Sequence, residues 1–355
     1  MIRDFLSKAN KHKRSVLTAL TRNLETEVKA APPGLDIASI RRILIVRPNH
    51  RLGNTLMITP LVQEISNLLP CATVDLFVKG NTASVVFRNY ANIGRLVALP
   101  KKHFSRLHQY LYSWLQLRSE SYDMVINIDA GSSSGRMATA FAKGRFRING
   151  NLPEQEAAHF PDYAHLAKKP VYNLRYFLSA AEHQAVTRLP IAVQDILLSE
   201  PELKRGREAV RKLAEDKARV IALFTHATGA KKHSTEFWER VYRRIQAEFP
   251  DHAIIEVLPV ENISQLSFEA PCYYSAELRE LASVIANCRL FIGADSGIMH
   301  LASASGIPVV GLFNVTSPQK YKPYGNGSLA FETGTGTDEA LFQAISTLLK
   351  QELSS

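Results

Sequence analysis

The sequence predicts an α/β protein built from two Rossmann-like domains. Three observations carry this prediction. Short apolar runs alternate with segments of helical periodicity in both halves of the 355-residue chain. Polar loops follow several of the apolar runs, as they do at the carboxyl edge of a parallel sheet. The chain is also long enough to bury two cores of ordinary domain size.

The stretch from Arg289 to Leu312 contains a complete strand, loop, helix and strand. Asp295, Ser296 and Gly297 form the polar loop and begin the helix, whose first amides are suited to a phosphate or diphosphate. Asp295 can cap the helix or accept from a ligand hydroxyl, and His300 can brace the loop or reach a phosphate. The alternative is a capped core helix that binds no ligand.

The string from Asp295 to Pro308, DSGIMHLASASGIP, resembles the signature of glycosyltransferase family 9, the heptosyltransferase family of bacterial lipopolysaccharide synthesis. The resemblance implies the GT-B architecture, in which two Rossmann-like domains face each other across a cleft. It implies that the first domain binds the acceptor and the second the nucleotide-sugar donor. It also implies inverting transfer without a metal ion or other cofactor, with ADP-heptose as the donor and a lipopolysaccharide core sugar as the acceptor.

The first polar loop, from Arg47 to Pro60, resembles the family's first motif but has Asn54 where the family has its catalytic aspartate. An amide cannot accept a proton near neutral pH, and loss of a general base costs roughly 10²- to 10⁴-fold in rate. We expect Asp129, after a predicted strand at 124–128, or His50 in the same loop to act as the base. Asp129 is favoured because a carboxylate among basic residues stays ionised, although it can instead cap the next helix. Two alternatives remain: an acceptor that is easier to activate, and a weak or inactive relative that only binds a nucleotide or glycan.

Basic residues near this loop and after Asp129 predict a floor for an anionic acceptor. The residues expected to bind the acceptor are Arg47, Arg51, Arg136 and Arg145.

The second domain has a loop at 225–238, THATGAKKHSTEFW, that resembles the family's donor loop. Lys231 or Lys232 stands at the family's lysine and is expected to balance the charge of a leaving diphosphate. Thr225 and Thr228 are expected to add hydroxyl donors. Glu261, just past the next predicted strand, is expected to contact the nucleoside.

Composition and charge limit the kinds of partner and the cellular compartment that we expect for the protein. The net charge of +10 and the pI near 9.5 predict anionic partners. A nucleotide-sugar donor, an anionic glycolipid acceptor and an anionic inner-membrane surface all fit this charge, whereas no nucleic-acid-binding motif is present. There is no apolar run of transmembrane length and no secretory signal, and the three cysteines are unpaired in sequence, so we expect a cytoplasmic protein without a metal site.

The predicted domain order has four parts. Residues 1–38 form a basic helical extension suited to anionic lipid, 39–190 the acceptor domain and 191–330 the donor domain. A last helix in 331–355 is expected to pack back on the first domain.

Overall fold

The fold comes from a computed structural model that describes residues 21, 24, 27–101, 107–181, 189–215 and 217–350. These divide into two compact units. The described residues of Met1–His50, Pro60–Ser84 and Tyr90–Ala192 form the first unit, and those of Arg51–Thr59, Val85–Asn89 and Val193–Ser355 form the second. The basic helix predicted in residues 1–38 falls largely outside the described residues, so its role at a membrane stays a prediction.

The strands, in chain order, are β1 (Arg42–Arg47), β2 (Thr73–Lys79), β3 (Ile93–Leu99), β4 (Ser121–Asn127), β5 (Lys143–Ile148), β6 (Arg219–Phe224), β7 (His252–Val257), β8 (Cys272–Tyr273), β9 (Leu290–Ala294), β10 (Val309–Phe313) and β11 (Leu329–Glu332). The helices are α1 (Leu52–Leu56), α2 (Thr59–Leu68), α3 (Thr82–Val86), α4 (Leu107–Ser119), α5 (Ser133–Phe141), α6 (Glu154–Ala157), α7 (Lys169–Ala181), α8 (Glu200–Leu213), α9 (Thr235–Glu248), α10 (Leu278–Ile285), α11 (Gly297–Ala304), α12 (Pro318–Tyr321) and α13 (Asp338–Lys350). Two short 3₁₀ turns cover Ile37–Ser39 and Gly229–Lys231.

The first unit contains a parallel sheet in the order β3-β2-β1-β4-β5. The middle of each of the two central strands, 43–46 in β1 and 124–126 in β4, is apolar and buried because a parallel sheet has both faces covered. Leu44, Phe77 and Val125 are buried in one of its cores, with Trp114 of α4 packed against them. Strands β2 and β3 are added on one side of β1, and β4 and β5 on the other side. The chain therefore changes direction between β1 and β4, and that pair is the switch point of the sheet.

The second unit repeats this plan in a six-stranded sheet, β11-β10-β9-β6-β7-β8, which is also parallel. Its switch point lies between β6 and β9. The buried side chains of its core include those of Ile221, Trp238 and Ile292. The last helix, α13, which we expected to cover the first domain, packs Leu341, Phe342 and Ile345 into this second core.

The helical segment after β1 is divided into two helices, α1 and α2. Pro60 has no N–H to donate to the Leu56 carbonyl, so a continuous helix would leave that carbonyl without its partner. The Thr59 hydroxyl donates to it instead, at 2.8 Å, and a second helix begins there. The break separates α1, which belongs to the second unit, from α2, which belongs to the first.

A buried ion pair ties the segment at 85–89 to the second unit. Arg279 of α10 donates to both carboxylate oxygens of Glu202 on α8, at 2.6 and 2.8 Å. The same guanidinium donates to the carbonyls of Val85, Ile196 and Leu197 at 2.9 to 3.2 Å. Removing one partner would leave several buried groups without theirs, so this pair holds four segments together.

The Arg279 hydrogen bonds lower the pKa of Glu202 from 4.5 to about 2. Because the folded-state pKa is depressed, the pair stabilises the fold fully above about pH 4.5 and loses this contribution as the pH falls toward 2. We therefore predict that Glu202→Gln lowers the free energy of unfolding near pH 7 by about 3 kcal/mol, and that its difference from the wild type shrinks between pH 4.5 and 2. Urea denaturation across this range measures the difference. Glu208→Gln, at an exposed position of the same helix, should have no effect, and a Glu202→Gln deficit that does not change with pH would contradict the assignment.

Candidate active site

The carboxyl edge of the second sheet holds a lysine and an aspartate at its switch point. Lys231 follows β6, Asp295 follows β9, and the Lys231 Nζ lies 2.5 Å from the Asp295 Oδ2. The same carboxylate oxygen accepts from the Thr316 hydroxyl. Asp295 is 4% exposed, whereas the Lys231 side chain is about one third exposed. Asp295 therefore holds the ammonium group from the protein side, and an anion in solvent can reach the exposed part of the Lys231 side chain.

The amino terminus of α11 follows Asp295 directly. Ser296 is the N-cap, and its hydroxyl accepts from the Met299 N–H at 3.2 Å. Ser296 rather than Asp295 caps the helix, so the carboxylate of Asp295 is left to orient Lys231. The amides of Gly297 and Ile298 stand in the first turn, before any intrahelical acceptor, and carry the positive end of the helix dipole.

Helix α1 packs closely on α11 within the second unit. A Cβ on Gly297 would lie 3.1 Å from the Leu52 Cβ, and a Cβ on Gly53 would lie 2.6 Å from the His300 Cδ2. His300 is 4% exposed, so its ring is a packing surface for Gly53. Asn54, the next residue, is half-buried beside this contact.

Thr225, at the end of β6, is turned into the protein. It is 2% exposed and donates to Glu256 of β7 at 2.6 Å. Glu256 is fully buried and also accepts from the Ser264 hydroxyl and the Gln265 N–H. Among the described residues this buried carboxylate orients Thr225, and it supports the loop that leads to Lys231.

The other predicted donor residues lie at the surface. Thr228 and Lys232 are exposed on the loop around Lys231. Glu261 is exposed in the turn after β7, where the Asn262 N–H donates to the Pro259 carbonyl. The structure thus joins Lys231 to the Asp295–Gly297 segment directly, while the roles of these three side chains stay predictions.

The first unit has a comparable pair at its own switch point. Arg47 ends β1, and its Nη1 lies 2.5 Å from the Asp129 Oδ2, two residues beyond the end of β4. The Asp129 Oδ1 accepts from the Gly131 N–H at 3.1 Å. Helix α5 is capped by Ser132, so Asp129 is not the N-cap that we considered. Its carboxylate is oriented by Arg47 and partly exposed, as a general base at this edge would be; that role stays a prediction.

The remaining predicted residues of the first loop lie in different settings. His50 is exposed in the first unit, and Arg51 is exposed at the amino end of α1 in the second. Arg136 is 2% exposed and donates to the Ala130 carbonyl and the Thr21 hydroxyl. Arg145 is exposed on β5, with its Cζ 4.8 Å from the centre of the Phe146 ring. The four predicted acceptor arginines therefore comprise two buried ones, Arg47 and Arg136, and two exposed ones.

Sequence reasoning missed two residues of this site, Thr316 and Glu256. Thr316 comes three residues after β10, on the edge where Asp295 lies. Glu256 is the only charged residue in the apolar stretch from Ala253 to Leu258. A lone acid in a buried strand and a hydroxyl at a strand end were the available signals.

The described residues show neither a metal-ligand cluster nor a membrane-spanning helix. No three His, Cys, Asp or Glu side chains there come together as metal ligands. Over the same residues, no helix has the length and apolar character needed to cross a membrane.

Comparisons with known proteins show similarity to one family of glycosyltransferases. Residues 271–341 match the family model of glycosyltransferase family 9 (heptosyltransferase). Lipopolysaccharide heptosyltransferase 3 of Escherichia coli is 20% identical over 304 residues, which cover 79% of this chain and 86% of that protein.

Solved structures show the fold. The glycosyl transferase family 9 protein of Veillonella parvula DSM 2008 has a TM-score of 0.67 at 18% identity, covering 91% of this chain and 99% of that one. The ADP-heptose lps heptosyltransferase II of E. coli has a TM-score of 0.66 at 16% identity, covering 88% and 99%. The predicted α/β fold with two Rossmann-like domains of the GT-B class is confirmed.

The contact between α1 and α11 gives a test of the site's framework. Gly53→Ala places a methyl group 2.6 Å from the buried His300 ring, so we predict a loss of about 1–3 kcal/mol in the free energy of unfolding. Gly334→Ala is the matched control, because a Cβ there meets nothing within 4 Å. It should be neutral or slightly stabilising. Equal effects of the two substitutions in urea denaturation would show that α1 does not pack on α11 as described.

Proposed function

We propose that the chain is a member of glycosyltransferase family 9, whose model matches residues 271–341, and that it transfers heptose from ADP-heptose to a lipopolysaccharide core or a related cell-surface glycan. The observation that carries the proposal is the pairing of Lys231 with Asp295 beside the amino terminus of α11. The names of the relatives support the choice of donor and acceptor, since one is a lipopolysaccharide heptosyltransferase and another an ADP-heptose heptosyltransferase.

The proposed reaction is a single inverting displacement. An acceptor hydroxyl oxygen attacks the anomeric carbon, the bond from that carbon to the diphosphate oxygen breaks, and the nucleoside diphosphate leaves with the electron pair. The hydroxyl proton passes to a general base. Only interactions that are stronger in the transition state than in the ground state raise the rate. Groups that stabilise the negative charge developing on the leaving diphosphate therefore contribute most to catalysis.

Lys231 and the first turn of α11 are suited to that charge. An ammonium group has three N–H donors, so a lysine bound to Asp295 can still donate to a phosphate oxygen. The Asp295 carboxylate and the Thr316 hydroxyl fix the position of that lysine before the donor arrives. The amides of Gly297 and Ile298 add fixed dipoles. In this proposal these groups supply the positive charge, and the reaction uses no metal ion or other cofactor.

The general base in this proposal is Asp129. Its carboxylate is 38% exposed, and one oxygen is held by Arg47. His50, which is exposed in the loop after β1, is the second candidate. Asn54 does not serve as the base in this proposal, because an amide can accept a hydrogen bond but does not take the proton.

The acceptor in this proposal is an anionic glycolipid, met by Arg51 and Arg145 at the surface, and the enzyme works in the cytoplasm, peripherally on the inner membrane. The net charge of +10 supports that setting. Asn54 favours a second candidate, in which the chain is a weak or inactive relative that binds a nucleotide or glycan without transfer.

Donor binding tests the site directly. Thermal shift against ADP-, UDP- and GDP-sugars should show the ADP compounds as the strongest stabilisers. We predict that Lys231→Ala and Asp295→Ala weaken this binding by about 10- to 100-fold, since each removes a charge-assisted contact or its support. Lys232→Ala, the exposed neighbour, should stay within about twofold. Equal losses from both lysine substitutions, or no preference for ADP, would contradict the assignment.

Transfer assays identify the base. We predict that Asp129→Asn lowers the transfer rate by roughly 10²- to 10⁴-fold while donor affinity is unchanged, because the base acts on the acceptor. His50→Gln should retain most of the rate; a larger loss there would make His50 the base. If the wild type binds donor and transfers to no acceptor, while Asn54→Asp does transfer, the binding-only relative is the correct description.

A further inference from the structure

Helix α4 of the first unit carries apolar side chains on the face that packs on the sheet and on a neighbouring, exposed face. Leu107, Leu111 and Leu115 recur at a spacing of four residues and therefore lie on one stripe. Their side chains are 58%, 55% and 67% exposed, and that of Tyr112, on the flank of the stripe, is 61% exposed. We call these four residues the outer face of α4. Contiguous exposed apolar surface of this kind marks a site of interaction rather than ordinary surface.

The inner face of α4 accounts for the position of the helix. Ser113 is buried and donates to the Ala98 carbonyl at 3.1 Å. The Trp114 ring lies 5.6 Å from Phe77 and 5.5 Å from Phe141, in edge-to-face contact with each. Leu117 is fully buried. The inner face therefore suffices to hold α4 on the sheet, and the exposed leucines of the outer face are not part of the core of the described residues.

The sequence around the outer face is strongly basic. Between Asp75 and Glu120 there is no acidic residue and there are seven lysines and arginines. Arg118 lies one turn beyond Leu115 on the same stripe, exposed, with its Cζ 5.0 Å from the centre of the Phe141 ring. Lys143, two residues after Phe141, is exposed as well.

The nearest acids are neutralised. Glu120 accepts from both Arg42 and Arg95 at 2.6 Å, and Arg42 also lies 3.0 Å from Asp75. Among the described residues, Arg118 and Lys143 thus supply positive charge at this end of α4 that Glu120 does not neutralise, since Glu120 is held by Arg42 and Arg95.

Leucines beside an aromatic ring and uncancelled cations match the surface of an anionic bilayer, where apolar side chains enter the acyl boundary and cations meet the headgroups. A second copy of the chain would bring two sets of cations together, and a nucleic acid would offer the leucines no apolar partner. We propose that the outer face of α4 docks on an anionic lipid surface. This goes beyond the transfer reaction, and it does not depend on the basic segment at 1–38.

Vesicle flotation of the full chain tests the proposal. Vesicles of phosphatidylglycerol and phosphatidylcholine should bind the protein at least about tenfold more tightly than vesicles of phosphatidylcholine alone, and 0.5 M salt should remove most of that preference. Leu111→Ser with Leu115→Ser should weaken binding to the anionic vesicles by at least about tenfold. Leu115→Ser alone should weaken it severalfold, whereas Leu189→Ser, at a leucine 69% exposed elsewhere in the same unit, should not.

Other occupants of the outer face would give different results. Sedimentation velocity should show that the wild type and Leu115→Ser have the same mass in solution; a dimer lost on substitution would make the face a contact between copies. Hydroxyl-radical footprinting should modify Tyr112 freely without vesicles and less with anionic ones. Protection of Tyr112 in the vesicle-free monomer would mean that another segment of the chain covers it. The vesicle assays contain no donor or acceptor sugar, so their outcome is independent of the outcome of the transfer assays.

Discussion

The reversal of strand order at each sheet's switch point is the constraint on which the rest depends. At that point the two central strands send their connections to opposite sides, so the loops after them diverge and leave polar side chains at the carboxyl edge. In the second unit the diverging loops carry Lys231 and Asp295, and in the first they carry Arg47 and Asp129. Each pair sets a cation against a carboxylate that holds it in place.

The two pairs differ in which partner solvent can reach. In the second unit the carboxylate is buried and the lysine is about one third exposed, so the site offers positive charge. In the first unit the arginine is buried and the carboxylate is 38% exposed, so the site offers negative charge. The pair in the second unit therefore suits the binding of an anionic leaving group, and the pair in the first unit offers a carboxylate that is able to accept a proton. The same topology yields opposite chemistry because the burial of the pair is reversed.

Much of the fold and of the candidate site was predictable from the sequence, because local sequence patterns agree with the fold that the chain adopts. Strand β6 begins and ends at the residues that its apolar run predicts, and α11 begins where the periodicity changes, although its cap is Ser296 rather than Asp295. Of the two missed site residues, Thr316 has no local signal that points to Asp295. Thr316 reaches Asp295 from a third loop, and only the sheet order brings the two together. Arg136 shows a second limit of prediction from sequence. A basic residue in a polar segment looks exposed, yet this side chain is buried and donates to the Ala130 carbonyl and the Thr21 hydroxyl, which the sequence does not place beside it.

Asn54 is the residue at which sequence resemblance and chemistry diverge, and its surroundings explain how the framework can persist without the aspartate. Gly53 must stay small because the His300 ring lies where its side chain would be, and Gly297 must stay small because of Leu52. These constraints fix the course of the backbone through α1 whatever side chain position 54 carries. The loop can therefore keep its shape with an amide at position 54. The proposed base, Asp129, is oriented by Arg47, which ends the strand that leads into this loop.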